Sequence, residues 1–154
     1  MDKNTFVILG NQLFEPCILK SLGCEHVFMA EDYGLCTYEK HHKLKIYLFF
    51  CAMREYRDEL QNHGIQVSYF NLEQRNENVG YAPFLCEFLK KSEITCVSLF
   101  EIEDRPFELE LIQFLDSKNV GVTVHESPMF MLSREDFAIN FGKNKTFRLA
   151  NFYK

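Results

Sequence analysis

Tryptophan is absent from this chain of 154 residues, and only seven glycines and four prolines punctuate it. Aromatic bulk rests instead on sixteen Phe and seven Tyr, and with 47% hydrophobic residues the chain can bury a full core in one domain of ordinary size. No apolar run reaches bilayer length: the longest, residues 46–53, is far too short to cross a membrane. No signal-peptide pattern is read at the start, where Met1-Asp2-Lys3-Asn4 leads directly into a short apolar run. A basic excess is missing too. Net charge is −5 and the pI about 5.5. Holding nucleic-acid phosphates takes a basic face, so the chain alone is not expected to bind DNA.

Several chemical signatures are also missing. There is no G-x-G-x-x-G and no G-x-x-x-x-G-K-[ST], which argues against an ordinary dinucleotide or P-loop site. Six cysteines stand at 17, 24, 36, 51, 86 and 96, with no C-x-x-C pair and no His at zinc-finger spacing. Cys51 and Cys96 sit in apolar runs, where a reduced Cys acts as a small hydrophobe. All six read as free thiols of a cytoplasmic protein.

What is present is an alternation. Apolar, β-rich runs at residues 5–9, 26–30, 66–70, 95–100 and 120–124 are separated by helical patterns at 16–22, 42–63, 82–91 and 107–118. Strands alternating with helices of these lengths predict α/β architecture: a five-stranded, mainly parallel sheet with right-handed crossovers. The polar stretch 73–80 is the expected mobile loop. The long helix is uneven. Met53, Tyr56 and Leu60 make one apolar face in its second half, and Asn62-His63-Gly64 supplies a stop. In its first half Ile46, Tyr47, Leu48, Phe49, Phe50, Cys51 and Ala52 cover every direction, which predicts burial on all sides. The second cover could be a ligand, a neighbouring domain or the chain's own C-terminal segment.

Gly10-Asn11-Gln12-Leu13 follows the first strand. Ligands of open α/β sheets bind at carboxyl ends of strands, where Gly allows close approach and Asn and Gln offer donors and acceptors together. The same four residues also suit a plain strand-to-helix turn. His41 and His42 point about 100° apart on a helix and make a poor metal pair. One of them as a ligand contact is the functional reading, and surface capping the other. Cys36-Thr37 beside His41 lacks an orienting acid for nucleophilic catalysis. Lys40, Lys43, Lys45 and Arg54 read as a solvated helix flank.

Four motifs stand in order: Ile8-Leu9-Gly10-Asn11-Gln12-Leu13, Tyr38-Glu39-Lys40-His41-His42-Lys43, Ala52-Met53-Arg54 and Phe152-Tyr153-Lys154. Jointly they resemble the I-L-G-D-Q-L, Y-x-x-H-H-K, A-M-R and F-Y-R segments of photolyase-related proteins in the cryptochrome/photolyase superfamily. The branch they resemble is that of the bacterial (6-4) photolyases with an iron–sulfur cluster. The resemblance covers essentially the whole chain.

It implies a Rossmann-like, three-layer N-terminal domain that holds an antenna chromophore, in this branch 6,7-dimethyl-8-ribityllumazine or another flavin-like ring. The implied contacts are Gly10, Asn11, Gln12, Leu13, Tyr38, His41 and the pocket wall at Phe49. FAD and the iron–sulfur cluster would belong to a C-terminal helical flavin domain, the implied partner, which this chain does not contain. By itself the chain should repair no DNA. It departs from the pattern at Asn11 (Asp in the family), Leu35 (an acidic residue), Phe49 (often smaller), Ala150 (acidic), and residues 101–106, where the family reads E-P-G-E-W-R.

Two other functions fit the residues: a stand-alone flavin- or lumazine-binding protein, and an interaction module. Residues 129–132 and 147–153 are rich in Met, Phe, Leu and Tyr. They predict a homodimer or lattice contact built on these segments, or a tail folded back over the long helix.

Overall fold

A computed structural model describes residues 3–141, with the side chains of 140 and 141 left out of the account. Five strands form one sheet in the order β3-β2-β1-β4-β5: β1 (Asn4–Val7), β2 (His26–Ala30), β3 (Gln66–Phe70), β4 (Cys96–Phe100) and β5 (Gly121–His125). Every pairing is parallel, with Phe6 opposite Val27 and Ser98, and Met29 opposite Tyr69. The helices are α1 (Pro16–Ser21), α2 (Tyr33–Thr37), α3 (Lys43–Asn62), α4 (Tyr81–Lys91), α5 (Arg105–Asp116) and α6 (Arg134–Phe141), with a 3-10 turn at Leu72–Gln74. This is the parallel α/β sheet that the alternating pattern predicts, in the Rossmann-like three-layer form that the resemblance implies, and it is parallel throughout.

Period-two alternation splits the strands between two cores. Phe6, Ile8, Val27 and Met29 face α1 and α3, where they meet Leu19, Met53, Tyr56 and Leu60. Val7, Leu9, Phe28, Ala30, Val97 and Leu99 face α4 and α5, where they meet Leu85, Leu89, Leu111 and Leu115. A strand buried on both faces reads as a continuous apolar run, as β1, β2 and β4 do. The many Phe residues of the second core pack edge-on or tilted, with Phe28 touching Phe70, Phe84 and Phe88 at 4.9–6.2 Å between centroids.

The long helix departs from expectation in its first half. Leu44, Tyr47, Leu48, Phe49 and Cys51 are exposed, Tyr47 to 69%. Length explains this. Twenty helical residues span about 30 Å and five strand residues only about 17 Å. The half carrying Met53, Tyr56 and Leu60 lies on the sheet, and the other half runs past the carboxyl ends of the strands. The helix stops at Gly64, whose φ of 79° is a left-handed conformation that glycine adopts without strain. Arg54 is no mere solvated flank, since it is bonded to Glu31.

Within the 73–80 stretch Arg75 is buried against Asp32 and Phe84, while most of the other residues are exposed. Met129, Phe130 and Met131 are exposed, Met131 fully so. Residues 147–153, the other half of the expected contact surface, lie outside the described residues.

Candidate functional site

The chain winds outward from β1 through β2 to β3, then returns to β4 on the other side of β1. Such a reversal leaves a crevice at the carboxyl ends of the strands. A cavity of about 610 Å³ opens there. Its floor is the ends of three strands: Leu9-Gly10-Asn11 after β1, Ala30-Glu31-Asp32 after β2, and Ile102-Glu103-Asp104 after β4. Its walls are α2 with Tyr38 and His41, the projecting half of α3 from Lys45 to Phe50 with Met53 where that helix meets the sheet, and the first two turns of α5.

Of the residues expected to make the site, Gly10, Asn11, Tyr38, His41 and Phe49 line this cavity. Gly10 has a steric reason to be glycine. A Cβ there would stand 2.8 Å from the Sδ of Met53 and 3.5 Å from Phe49 Cδ1. The β1 turn therefore approaches α3 as closely as backbone allows. Asn11 Nδ2 donates to Glu103 Oε2 at 2.6 Å and ties the β1 turn to the β4 loop. Tyr38 is 68% exposed, its ring edge-on to His41 at 5.8 Å. His41 Nδ1 and Lys45 Nζ are 3.4 Å apart. Phe49 stands in the wall, partly exposed.

Gln12 and Leu13 do not line the cavity. Gln12 is fully buried, and its Nε2 donates to the Glu101 carbonyl at 2.9 Å. It acts as a strut between the ends of β1 and β4. Its Oε1 has no partner among the described residues. Leu13 packs on the α1–α3 core.

Sequence reasoning missed two carboxylates of the floor, Glu31 and Asp32, that anchor the walls. Glu31 directly follows β2, and its buried side chain collects four hydrogen bonds. Arg54 Nε (2.7 Å) and Tyr69 Oη (2.7 Å) donate to Oε1, and Arg54 Nη2 (3.1 Å) and the Leu72 N–H (3.0 Å) donate to Oε2. Burial works against the Glu31 charge. Arg54, Tyr69 and Leu72 outweigh it and hold the carboxyl below its ordinary value. Burial and the Glu31 charge push the Tyr69 hydroxyl well above 10. Arg54, closing the Ala52-Met53-Arg54 motif, thus fixes α3 to the end of β2.

Asp32 caps α2, its Oδ1 accepting from the Leu35 N–H at 2.9 Å. Its Oδ2 accepts from Arg75 Nη2 at 2.5 Å, and both side chains are almost wholly buried. On the other side Glu108 accepts from the Ile102 N–H, Arg105 and Arg134, so α5 and α6 hold the β4 loop. Burial opposes ionisation of Glu108, but Arg134 and the Ile102 N–H hold its carboxyl below the ordinary value. The signal available in sequence was position: Glu31-Asp32 and Glu101–Asp104 directly follow apolar strands, as Gly10 does.

The cavity has the dimensions of a small-molecule site. Leu9, Ile46, Phe49, Phe50 and Phe107 offer apolar faces, and Asn11 and Glu103 offer a polar edge. Among the described residues, no three His, Cys, Asp or Glu side chains are grouped to hold a metal ion. No described helix is long and apolar enough to cross a membrane.

Fold and crevice together define an open, parallel α/β domain with a ring-sized pocket at its topological switch point. The sequence profile of the deoxyribodipyrimidine photo-lyase-related protein family matches residues 6–154, and the chain belongs to that family. An uncharacterized protein of Acanthamoeba polyphaga mimivirus is 27% identical over 162 aligned residues, which cover 98% of this chain and 80% of that protein.

Proposed function

We propose that this chain is an antenna-type domain that binds a planar, flavin-like chromophore, 6,7-dimethyl-8-ribityllumazine or a close analogue, in the crevice between the β1 turn and the projecting half of α3. The observation that carries this reading is the 610 Å³ cavity at the strand ends, with aromatic walls and a polar edge at Asn11–Glu103. A chromophore bound there would absorb light and pass excitation to a flavin held elsewhere. The resemblance to the iron–sulfur (6-4) branch assigns FAD and the cluster to a C-terminal flavin domain as partner, and DNA repair to the two together. This chain supplies the pocket, is inactive in repair alone, and does not hold DNA. The six unpaired cysteines fit a cytoplasmic setting.

A stand-alone ring-binding protein is the second reading. The match takes in 80% of the mimivirus protein, which favours it. Both readings need the same pocket. Fluorescence titration of the purified protein with ribityllumazine and riboflavin should give saturable binding. The variant Gly10→Val, whose side chain meets Met53 and Phe49, should abolish it while circular dichroism stays native. No binding by the unmodified protein, or undiminished binding by the variant, would remove the proposal.

A further inference from the structure

Parallel α/β folds usually hold a phosphate with N–H groups at a helix N-terminus that follows a strand. In this cavity several of those groups are already taken. Two helices, α2 and α5, begin at its rim. At α2 the Leu35 N–H donates to Asp32 Oδ1. At α5 the second residue is Pro106, which has no N–H, and the third, Phe107, donates to Asp104 Oδ1 at 3.1 Å. The next N–H, that of Glu108, goes to the Asp104 carbonyl at 2.9 Å.

Charge points the same way. Of the lining carboxylates, Glu31 is neutralised by Arg54 and Asp32 by Arg75. Glu103, Asp104 and Glu110 line the β4–α5 side, and no described cation stands within ion-pair distance of them. Facing them are Lys45 of α3 and His41 just before that helix, which lie against each other. The balance around the cavity is acidic, and a phosphate would enter against it with few N–H donors on offer. Hydroxyl groups suit the exposed Asp104 and Glu110 carboxylates, which only accept hydrogen bonds, while Glu103 already accepts from Asn11 and adds its charge.

We propose that the pocket selects a ring ligand with an uncharged, hydroxylated side chain over its phosphorylated counterpart, and that Glu103, Asp104 and Glu110 determine this choice. The inference rests on the ring-binding reading above and adds the class of side chain accepted.

Riboflavin and flavin mononucleotide differ by the phosphate alone, so titrating both, at low and at high salt, isolates the effect. Riboflavin should bind at least ~10-fold more tightly at low salt, with the ratio shrinking as salt screens the carboxylates. The triple variant Glu103→Gln, Asp104→Ser, Glu110→Gln removes three charges while keeping an amide beside Asn11 and a capping oxygen on α5. In it the ratio should fall toward one. Glu110→Gln alone, on an exposed side chain, should move the ratio in the same direction and serves if the triple variant fails to fold. Equal or tighter binding of the mononucleotide to the unmodified protein, or an unchanged ratio in a folded variant, overturns the inference alone. Binding of neither flavin removes the ring-binding reading and the inference with it.

Discussion

Glu31→Gln should destabilise the protein by about 2 kcal/mol at neutral pH, and the loss should be pH-dependent. The carboxylate is buried and holds α3 through Arg54, β3 through Tyr69 and the 3-10 turn through the Leu72 N–H. Glutamine keeps one acceptor oxygen. It turns an NH2 group toward two donors, whichever way the amide is set. A hydrogen bond to a charged partner contributes about 1.5–3 kcal/mol, and leaving buried donors unpaired costs about as much again. Arg54 is half exposed and recovers water when its partner is lost, which brings the net down to about 2 kcal/mol. In a chain of this length that is a fall in Tm of about 4–8 °C.

The native carboxyl is held below its ordinary value of 4.5. Its contribution is complete above pH 4.5 and fades as the pH falls through the lower native value. The gap between wild type and variant, read by calorimetry, should be constant from pH 7 to 5 and should narrow as the pH falls below 4.5. A gap that is absent at pH 7, or that stays constant into acid, would refute the reasoning.

Arg75→Met should cost about 3–5 kcal/mol, because it strands the buried Asp32 carboxylate; urea unfolding measures it, and a loss under 1 kcal/mol would contradict the assignment. Acid should unfold the wild type below pH 4.5, since Glu31 and Glu108 are both held ionised by the fold, and a transition that begins near neutrality would point to another group. The purified chain should show no submicromolar, salt-sensitive gel shift with lesion-containing DNA, given its net charge of −5. The exposed run Met129-Phe130-Met131 should support self-association, seen as a concentration-dependent dimer in sedimentation that Met131→Asp weakens; a strict monomer at high concentration would exclude it.

Most of the fold was legible because strands buried on both faces and amphipathic helices leave separate periods in the sequence. Helix α2 was not, since five residues carry too little period to register. The projecting half of α3 misled for a physical reason: apolarity all round a helix reads as burial, and here part of it is exposed beyond the edge of the sheet. Half of the site was legible as well. The β1 turn carries a glycine and Tyr38-Glu39-Lys40-His41 a recognisable motif, and both reach the cavity. Glu31, Asp32 and Glu103 are marked in sequence only by their place after apolar strands, because their roles depend on Arg54, Arg75 and Asn11, residues 23, 43 and 92 positions away. Gln12 belongs to the same motif as Gly10 yet turns inward to the Glu101 carbonyl, a direction that sequence does not encode.

A crystal structure of the protein grown with 6,7-dimethyl-8-ribityllumazine tests the central claim most directly. The ring should lie between Gly10 and Phe49, with its polar edge toward Asn11 and Glu103 and its ribityl hydroxyls toward Asp104 and Glu110. A ring bound elsewhere on the molecule, or an unliganded crevice at saturating lumazine, would contradict it.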